Sequence, residues 1–310
     1  MTEYTALGEK LLRNLLNAFQ NDPLMKQLVK EGHIPITAEL RFTQLVLHKH
    51  PKSSEVFFHR KWLISRLLSP KKKLPGISQC SSEIQLDSGN LGRKMDNGFE
   101  SAKSTSSHHD LSEQHLPQSE VERLLIQELQ VCQDAAERYA NNYHAWTHRI
   151  WIFQCHCSVK VANQELDNTK KFVCEHISDY STYHYRQMLL QYLSDNISSV
   201  DQLLEQELDL CTEFIRRYPG HEAVWSHRRA ILHQLYRVRS RCTDQTASKK
   251  LRPDATCADR LLSREQTFCD GLTDRYKSQS VIQNDQSWQM ILSDRHMASL
   301  VRIVQNTTHS

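Results

Sequence analysis

The chain has 310 residues, of which 39% are hydrophobic, and a formal net charge of +3. This length can bury a substantial core, and so small a charge gives no support for nucleic-acid binding. The 8 glycines and 8 prolines are too few to punctuate a β-rich fold, so the composition favours a helical protein.

The segment 1–68 is predicted to form an N-terminal helix and a first recognisable repeat. The opening residues lack the basic-then-apolar pattern of a signal peptide, and no run of 18 apolar residues predicts a membrane span. We therefore expect a cytoplasmic protein whose nine cysteines are reduced thiols. Helices are expected near residues 11–19 and 38–50, and the following segment carries Phe57 and Arg60, two residues of a repeat signature.

Residues 69–118 are predicted to be a disordered insertion. They contain ten Ser, four Gly, three Pro and few large apolar residues, a composition that cannot bury enough apolar surface to fold. The basic tract 71–73 is interpreted as part of this solvated loop rather than as a targeting or RNA-binding patch, because no aromatic or patterned basic face accompanies it.

Residues 119–236 contain three copies of one repeat. The segment 121–152 aligns without a gap with 200–231, so the offset between the two is constant, and the matches include both tryptophan and arginine positions. A weaker copy lies between them. Each copy shows apolar residues every three or four positions, a short break and a second helix, which predicts a helical hairpin.

The first helix of a repeat is predicted to begin with a capping box in two copies. Ser119 is followed three residues later by Glu122, and Ser199 by Gln202. A serine at the cap and an acid or amide three residues on can satisfy free amide groups reciprocally.

The chain after the third copy is predicted to hold a polar loop and a cap. The loop is expected at 237–257, and residues 258–310 are expected to form capping helices at about 258–276 and 285–304. A repeat array needs such a terminal unit, because each internal hairpin leaves an apolar face for its neighbour.

The signature residues of the repeats are interpreted as structural. An aromatic ring fills the space between hairpins, and an arginine three residues later lies on the same side of the helix, where it can donate to carbonyl groups of a neighbouring helix. The aromatic positions are Phe57, Trp146, Tyr183 and Trp225, and the arginine positions are Arg60, Arg149, Arg186 and Arg228.

The turns that precede the second helices are a separate candidate site. Free amide groups and the dipole at a helix start favour anions. In a curved array these turns line up along one edge, which could face a partner protein or a diphosphate. The candidates are Asn141, Asn142, Tyr143, His144, Tyr180 and His221. The simpler alternative, that Asn142 only caps its helix, stays open at this point.

No residue is assigned to catalysis or to metal binding. The sequence Cys-His-Cys at 155–157 lacks a second ligand pair at zinc-site spacing, and residues two apart on a helix point to different sides. The cluster at 108–110 lies in the predicted insertion. The sequence has no zinc set, nucleophile elbow or phosphate loop.

The segment Asn-Tyr-His-Ala-Trp-Thr-His-Arg at 142–149 resembles the repeat signature of protein prenyltransferase α subunits. That signature runs from Asn-Tyr to a Trp and then, three residues on, to an Arg. The full signature occurs once and three further copies are degenerate, so the resemblance is specific because of the four copies taken together. The resemblance covers most of the chain outside the insertion and the C-terminal segment, and segments such as 218–222 are most similar to the repeat-containing members of the family.

The resemblance implies a right-handed superhelical array of antiparallel helical hairpins, an α-α superhelix similar to tetratricopeptide repeats. In the family this crescent wraps around a β subunit that holds the zinc and most of the isoprenoid and protein-substrate sites, so no cofactor is expected in this chain. The implied function is the α subunit of a heterodimeric protein prenyltransferase. It would support geranylgeranyl transfer to protein cysteines by a Rab-type geranylgeranyltransferase β subunit and would not be catalytic alone.

Departures from the family pattern leave an alternative open. Farnesyltransferase-type α subunits carry a lysine before the Asn-Tyr pair, where its charge can meet the diphosphate leaving group, but this chain has the neutral Asn141. Either another group such as His144 takes that role or the β subunit supplies it alone. A further repeat upstream of Arg60 is also not recognisable. The alternative function is a non-catalytic helical-repeat scaffold for protein–protein interaction. Under either function we expect no nucleic-acid partner and no membrane span.

Overall fold

The computed structural model describes residues 26–27, 29, 31–68, 118–246, 255–277 and 284–308. These ranges contain ten helices of 13 residues or more and no β-strand, which confirms the all-α prediction. In chain order the helices are α1 (Ile36–Lys49), α2 (Ser54–Leu67), α3 (Gln118–Arg138), α4 (Tyr143–Cys155), α5 (Val159–Glu175), α6 (Tyr180–Asn196), α7 (Val200–Arg217), α8 (Glu222–Thr246), α9 (Ala255–Lys277) and α10 (Asn284–Thr308).

Consecutive helices pack as five hairpins, from α1 with α2 to α9 with α10. A turn of four residues joins the helices of each of the first four hairpins, and so short a connection places its neighbours antiparallel. The hairpins then stack in chain order, because α2 contacts α4, α4 contacts α6, α6 contacts α8 and α8 contacts α10. The predicted α-α superhelix is therefore confirmed.

The aromatic signature residues lie in the core between hairpins. Trp146 and Trp225 are at most 1% exposed. The Trp146 ring of α4 meets the ring of Phe172 of α5 edge-on, with centroids 5.1 Å apart, and also contacts Tyr185 of α6. The core thus continues from one hairpin to the next, because each hairpin buries its apolar face against its neighbour.

Two helix-start predictions need correction. Helix α3 begins at Gln118, so Ser119 lies inside the helix and is not its N-cap. Ser199 stands at the N-cap of α7, but its side chain makes no capping hydrogen bond. Helix ends depend on tertiary packing as well as on local sequence, which is why a capping pattern alone places them loosely.

The predicted polar loop at 237–257 is wrong at both ends. Helix α8 continues to Thr246 and α9 begins at Ala255. Arg239 of α8 forms an ion pair with Asp201 at 2.9 Å, so packing against α7 extends the helix through a polar sequence. The two C-terminal helices lie at 255–277 and 284–308, close to their expected positions.

Two sequence predictions fall outside the described residues: the N-terminal helix at 11–19, and the insertion at 69–118 except for its last residue. Within the described ranges, none of the helices is both long and apolar enough to cross a membrane.

Candidate functional site: an arginine–glutamate ladder and the turn edge

Each signature arginine is buried and forms a two-pronged ion pair with a glutamate of the next hairpin. For Arg149, Nε and Nη2 donate to the Glu165 carboxylate at 2.7 and 3.0 Å. For Arg186 the same two atoms donate to Glu207 at 2.7 and 2.6 Å. We call the four pairs the ladder: Arg60–Glu128, Arg149–Glu165, Arg186–Glu207 and Arg228–Glu265.

The third nitrogen of each ladder arginine binds the first helix of its own hairpin. Nη1 donates to the carbonyl oxygen of a leucine 20 residues earlier, at 2.9 Å for Arg149 and 3.1 Å for Arg228. It also donates to a side-chain oxygen one turn further along that helix, such as the Thr169 hydroxyl 2.7 Å from Arg186. One guanidinium therefore joins three helices, and its planar fork suits this task better than an ammonium group would.

A second donor reaches each of the four ladder glutamates from its own hairpin. His148 Nε2 lies 2.8 Å from Glu128, and His227 Nε2 lies 2.7 Å from Glu207. In the third hairpin the Tyr185 hydroxyl replaces histidine and donates to Glu165 at 2.7 Å. In the last hairpin His296 Nε2 lies 3.1 Å from Glu265, although that hairpin carries no signature arginine.

These contacts lower the pKa of two ladder glutamates, Glu128 and Glu265. Burial alone would raise the pKa of Glu128, but the charge of Arg60 and hydrogen bonds from His148 and Arg60 lower it to about 2. The pKa of Glu265 is likewise lowered to about 2, against the effect of burial, by hydrogen bonds from His296 and Arg228 and by the Arg228 charge. Glu128 and Glu265 are therefore ionised at neutral pH.

The histidine of the fourth hairpin is held neutral. Burial lowers the pKa of His227, although Glu207 acts in the opposite direction. The amide nitrogen of Gln187 lies 3.2 Å from His227 Nδ1, and because an amide N–H can only donate, Nδ1 must accept. The ring proton then sits on Nε2, where it points at Glu207.

The ladder has the chemistry of a brace rather than of a catalytic centre. Its arginines are 2–3% exposed, and all their nitrogens bind protein oxygens, so no substrate atom can reach them. Sequence analysis found the arginines but missed the glutamates. The signal was available, since Glu128–His148 and Glu207–His227 share the same separation along the chain.

The turns between the helices of the first four hairpins form the candidate site. We call residues 50–53, 139–142, 176–179 and 218–221, with the first residue of each following helix, the turn edge. Adjacent turns touch: the side-chain amide of Asn142 donates to the Pro51 carbonyl at 2.7 Å, and Ser178 Oγ lies 2.7 Å from His221 Nδ1. The predicted alignment of turns therefore holds at these two junctions.

Asn142 is a structural residue of this edge. It is fully buried, its Oδ1 accepts from Ala145 N at 3.2 Å as the N-cap of α4, and its amide also donates to the Ala135 carbonyl. All its polar atoms are thus used inside the protein. Asp179 caps α6 in the same way, accepting from Ser181 N at 2.9 Å and Thr182 N at 3.2 Å.

Asn141 owes its place to backbone geometry. Its φ is +55°, in the left-handed region, and Gly220, which stands at the same repeat position in the later copy, has a φ of +88°. Glycine and asparagine are the residues that adopt this conformation at least cost. The left-handed backbone of this turn therefore suits an asparagine at position 141.

Tyrosines are among the exposed residues of the edge. Tyr143 and Tyr180 are the first residues of α4 and α6, and their side chains are 64% and 51% exposed. The Tyr143 ring packs edge-on against His144, with centroids 5.7 Å apart. Partial burial, together with the Glu222 charge, raises the pKa of the Tyr180 hydroxyl, which stays neutral. Tyrosines of this kind offer apolar area and a polar tip to a partner.

Of the six residues predicted for this site, five lie in or next to the turns and are at least partly exposed. Asn141, Tyr143, His144, Tyr180 and His221 reach the surface at least in part, while Asn142 does not. Across the described ranges, no group of three or more His, Cys, Asp or Glu residues is arranged to hold a metal ion.

The amino-acid sequence matches the family model described as the protein prenyltransferase alpha subunit repeat, at residues 36–67, 125–156, 162–193 and 204–235. The four matches coincide with the four hairpins that form the turn edge. The chain belongs to the protein prenyltransferase alpha subunit repeat family.

Relatives of known name agree with this assignment. The chain is similar to protein prenyltransferase alpha subunit repeat-containing protein 1 of Danio rerio, with 30% identity over 276 residues that cover 79% of this chain and 57% of the relative. The Homo sapiens protein of the same name is 31% identical over 244 residues, covering 67% and 53%. The chain thus spans a little over half the length of these curated relatives.

A more distant similarity reaches a named transferase subunit. Geranylgeranyl transferase type-2 subunit alpha of Rattus norvegicus is 25% identical over 209 residues, which cover 66% of this chain and 27% of the relative. The comparison therefore shows a repeat protein of prenyltransferase-alpha type.

Proposed function

We propose that this protein is the α subunit of a heterodimeric protein prenyltransferase that supports geranylgeranyl transfer to protein cysteines. Its partner would be a β subunit of the Rab-type geranylgeranyltransferase class, which would hold the zinc. The observation that carries the proposal is the turn edge of the four hairpins that match the family model, because two of these hairpins present exposed tyrosines at matching repeat positions.

The ladder supports this proposal because it makes the edge rigid. Each turn is anchored by a helix whose arginine is tied to the next hairpin by two charge-assisted hydrogen bonds. Tyr143 and Tyr180 are therefore presented at a fixed spacing, and a partner need not order them on binding. A preorganised strip of this kind suits a permanent subunit interface.

The proposal assigns positioning, not chemistry, to this chain. Asn141 provides no positive charge for a diphosphate, and Asp179 uses its carboxylate to cap α6. His221 of the edge and His144, which directly follows the edge in α4, are partly exposed and can donate to an anion, as can the exposed ammonium group of Lys52 in the first turn. The β subunit would hold the zinc that activates the thiolate of the acceptor cysteine, and it would supply most of the leaving-group stabilisation.

The test uses a variant of this chain in which both Tyr143 and Tyr180 are changed to alanine, and it measures the affinity of that variant for a β subunit. Exposed aromatic anchors at an interface each contribute about 1–2 kcal/mol, so the double variant should weaken binding by roughly a hundredfold. Its melting temperature should stay close to that of the unmodified protein, because neither side chain is in the core.

Ile126→Ala is the matched control. Ile126 is 52% exposed but lies in the middle of α3, about 20 Å along the helix from the turn that follows. It should bind the β subunit normally. Unchanged binding by the tyrosine variant would contradict the assignment of the turn edge as the interface.

The second candidate, a scaffold without prenyl transfer, is favoured by one observation, the neutral Asn141 at the lysine position. It predicts a complex that forms normally but transfers no prenyl group to any cysteine-containing acceptor. Measuring transfer by the purified complex separates the two functions.

A further inference from the structure

The second helix of the first hairpin carries an exposed phenylalanine where the later hairpins carry polar residues. Phe58 of α2 stands two residues before the signature arginine, and its side chain is 63% exposed. The matching positions of α4, α6 and α8 hold Thr147, His184 and Ser226. Polar residues are what a solvent-facing position of a helix normally holds. The stacking of hairpins therefore does not require the phenylalanine.

Two tryptophans extend this aromatic surface. Trp62 and Trp151 stand two residues after the signature arginines of α2 and α4, and both are partly buried against one core cluster. The matching positions of α6 and α8 hold Met188 and Ala230, so hairpins also stack without a tryptophan here. Phe58 and Trp62 are four residues apart and therefore lie on the same side of α2.

A cation lies over each of the two tryptophan rings. Lys61 Nζ of α2 lies 5.1 Å from the ring centroid of Trp151 in the next hairpin, and Arg66 Cζ lies 5.6 Å from that of Trp62. Both cationic side chains are exposed. The Lys61 contact crosses from α2 to α4, so the two helices present one continuous surface. We call the following residues the aromatic patch: Phe58, Lys61, Trp62, Arg66 and Trp151.

The two helices that form the aromatic patch carry almost no negative charge. Glu55 is the only acidic residue of α2 and α4. It lies about 9 Å along α2 from Lys61, and its charge interacts with His144 beside the turn edge. A surface that combines exposed cations with aromatic area is complementary to a polypeptide that combines carboxylates with apolar side chains.

We propose that the aromatic patch binds an acidic segment of a partner protein that also carries apolar side chains. Carboxylates of the segment pair with Lys61 and Arg66, and an apolar side chain of the segment covers Phe58. The neighbouring second helices contact each other, so a segment laid across them meets a preformed surface. The proposal is independent of the function assigned to the turn edge.

A single-stranded nucleic acid fits the aromatic patch less well. Such a strand binds by stacking its bases on aromatic rings. The Trp62 ring already contacts Arg66 and the His59 ring, with ring centroids 5.8 Å apart, and Trp151 contacts Lys61 and the equivalent histidine. The tryptophan faces are therefore occupied by the protein, whereas the cations and the exposed phenylalanine are available to a polypeptide.

Fluorescence anisotropy with a labelled peptide tests the proposal on the full chain. The probe is a short synthetic peptide built from repeats of Glu-Glu-Leu-Phe, and its matched partner carries glutamine in place of every glutamate. The acidic peptide should bind at least about tenfold more tightly than the glutamine peptide, because only its carboxylates can pair with the two cations. The difference should shrink as salt is raised, since exposed charges are screened.

Variants of the patch locate the binding. Lys61→Gln combined with Arg66→Gln should weaken binding of the acidic peptide by about tenfold, and so should Phe58→Ser. Neither variant should change the melting temperature appreciably, because all three side chains are exposed.

Control variants remove the same chemistry from first helices. Lys170→Gln combined with Lys171→Gln removes two exposed cations of α5, and Leu45→Ser removes a 69% exposed apolar side chain of α1. Both should bind the acidic peptide like the unmodified chain. The variant with Tyr143 and Tyr180 changed to alanine should do so as well, so this proposal and the turn-edge proposal can fail separately.

Four results would overturn the proposal. They are no detectable binding of the acidic peptide, equal affinity for the two peptides, equal weakening by the patch and control variants, and tighter binding of a single-stranded RNA than of the acidic peptide.

Discussion

Removal of one ladder arginine tests the bracing role most sharply, and Arg186 is the best choice. It makes four hydrogen bonds: two to Glu207, one to the Leu166 carbonyl at 2.6 Å and one to the Thr169 hydroxyl at 2.7 Å. Arg186→Met keeps the stem but leaves the 5% exposed Glu207 with His227 as its remaining donor.

The expected cost follows from the charge left behind. Breaking a buried ion pair by removing one partner costs about 3–5 kcal/mol, a large part of the ~5–15 kcal/mol that stabilises a typical domain. Changing Glu207 to leucine as well removes the stranded charge. The double variant should then lose only about 1–3 kcal/mol, mainly because His227 loses its acceptor.

Urea unfolding followed by circular dichroism at pH 7 measures these free energies. The control is Arg239→Met, which removes the ion pairs of a one-third exposed arginine with Asp201 and Glu205 and should cost about 0–1 kcal/mol. If Arg186→Met costs no more than this control, or if the cost of the double variant equals the sum of the single ones, the ladder does not brace the array.

Three further outcomes are expected. Trp146→Ala should destabilise the protein by about 3–5 kcal/mol because the ring fills the space between hairpins, whereas Tyr143→Ala should change the melting curve little. Equal melting curves for the two variants would contradict the core position of Trp146. Asn141→Lys should destabilise the protein by about 1 kcal/mol, because lysine adopts the left-handed backbone of this position less readily than asparagine. It should leave prenyl transfer by the complex unchanged or raised, and a large fall in transfer would show that Asn141 has a role of its own. The control Asn141→Gly should leave the stability unchanged. Because burial holds the pKa of His227 below the usual 6.5, its contribution to stability is complete above pH 6.5 and declines as the pH falls. His227→Gln should reduce the fall in the free energy of unfolding between pH 7 and pH 5. If this pH dependence is the same in the variant, His227 is not held neutral in the folded protein.

Local sequence features predicted the hairpins because their causes are local. The spacing of apolar residues in α3 and α7 and the recurrence of Trp146 and Trp225 at one offset required no knowledge of tertiary contacts. The turn residues were also visible, although the buried capping role of Asn142 and the left-handed backbone of Asn141 became clear only from the structure.

The ladder could not be predicted as pairs, because its partners have no constant separation. Arg149 finds its glutamate 16 residues away, whereas Arg60 finds its own across the insertion, 68 residues away. Only the stacking of hairpins brings them together. The end of α8 was missed for a similar reason, since Arg239 is held in the helix by contacts with α7 rather than by an apolar periodicity.

The central claim is that this chain serves as a prenyltransferase α subunit. The most direct test is co-expression with geranylgeranyltransferase β subunits, followed by purification and a geranylgeranyl transfer assay on a cysteine-containing protein acceptor. The account predicts a stable complex of one chain with one β subunit that transfers the prenyl group, while this chain alone transfers none. A well-folded chain that elutes alone in the presence of every β subunit would contradict the account.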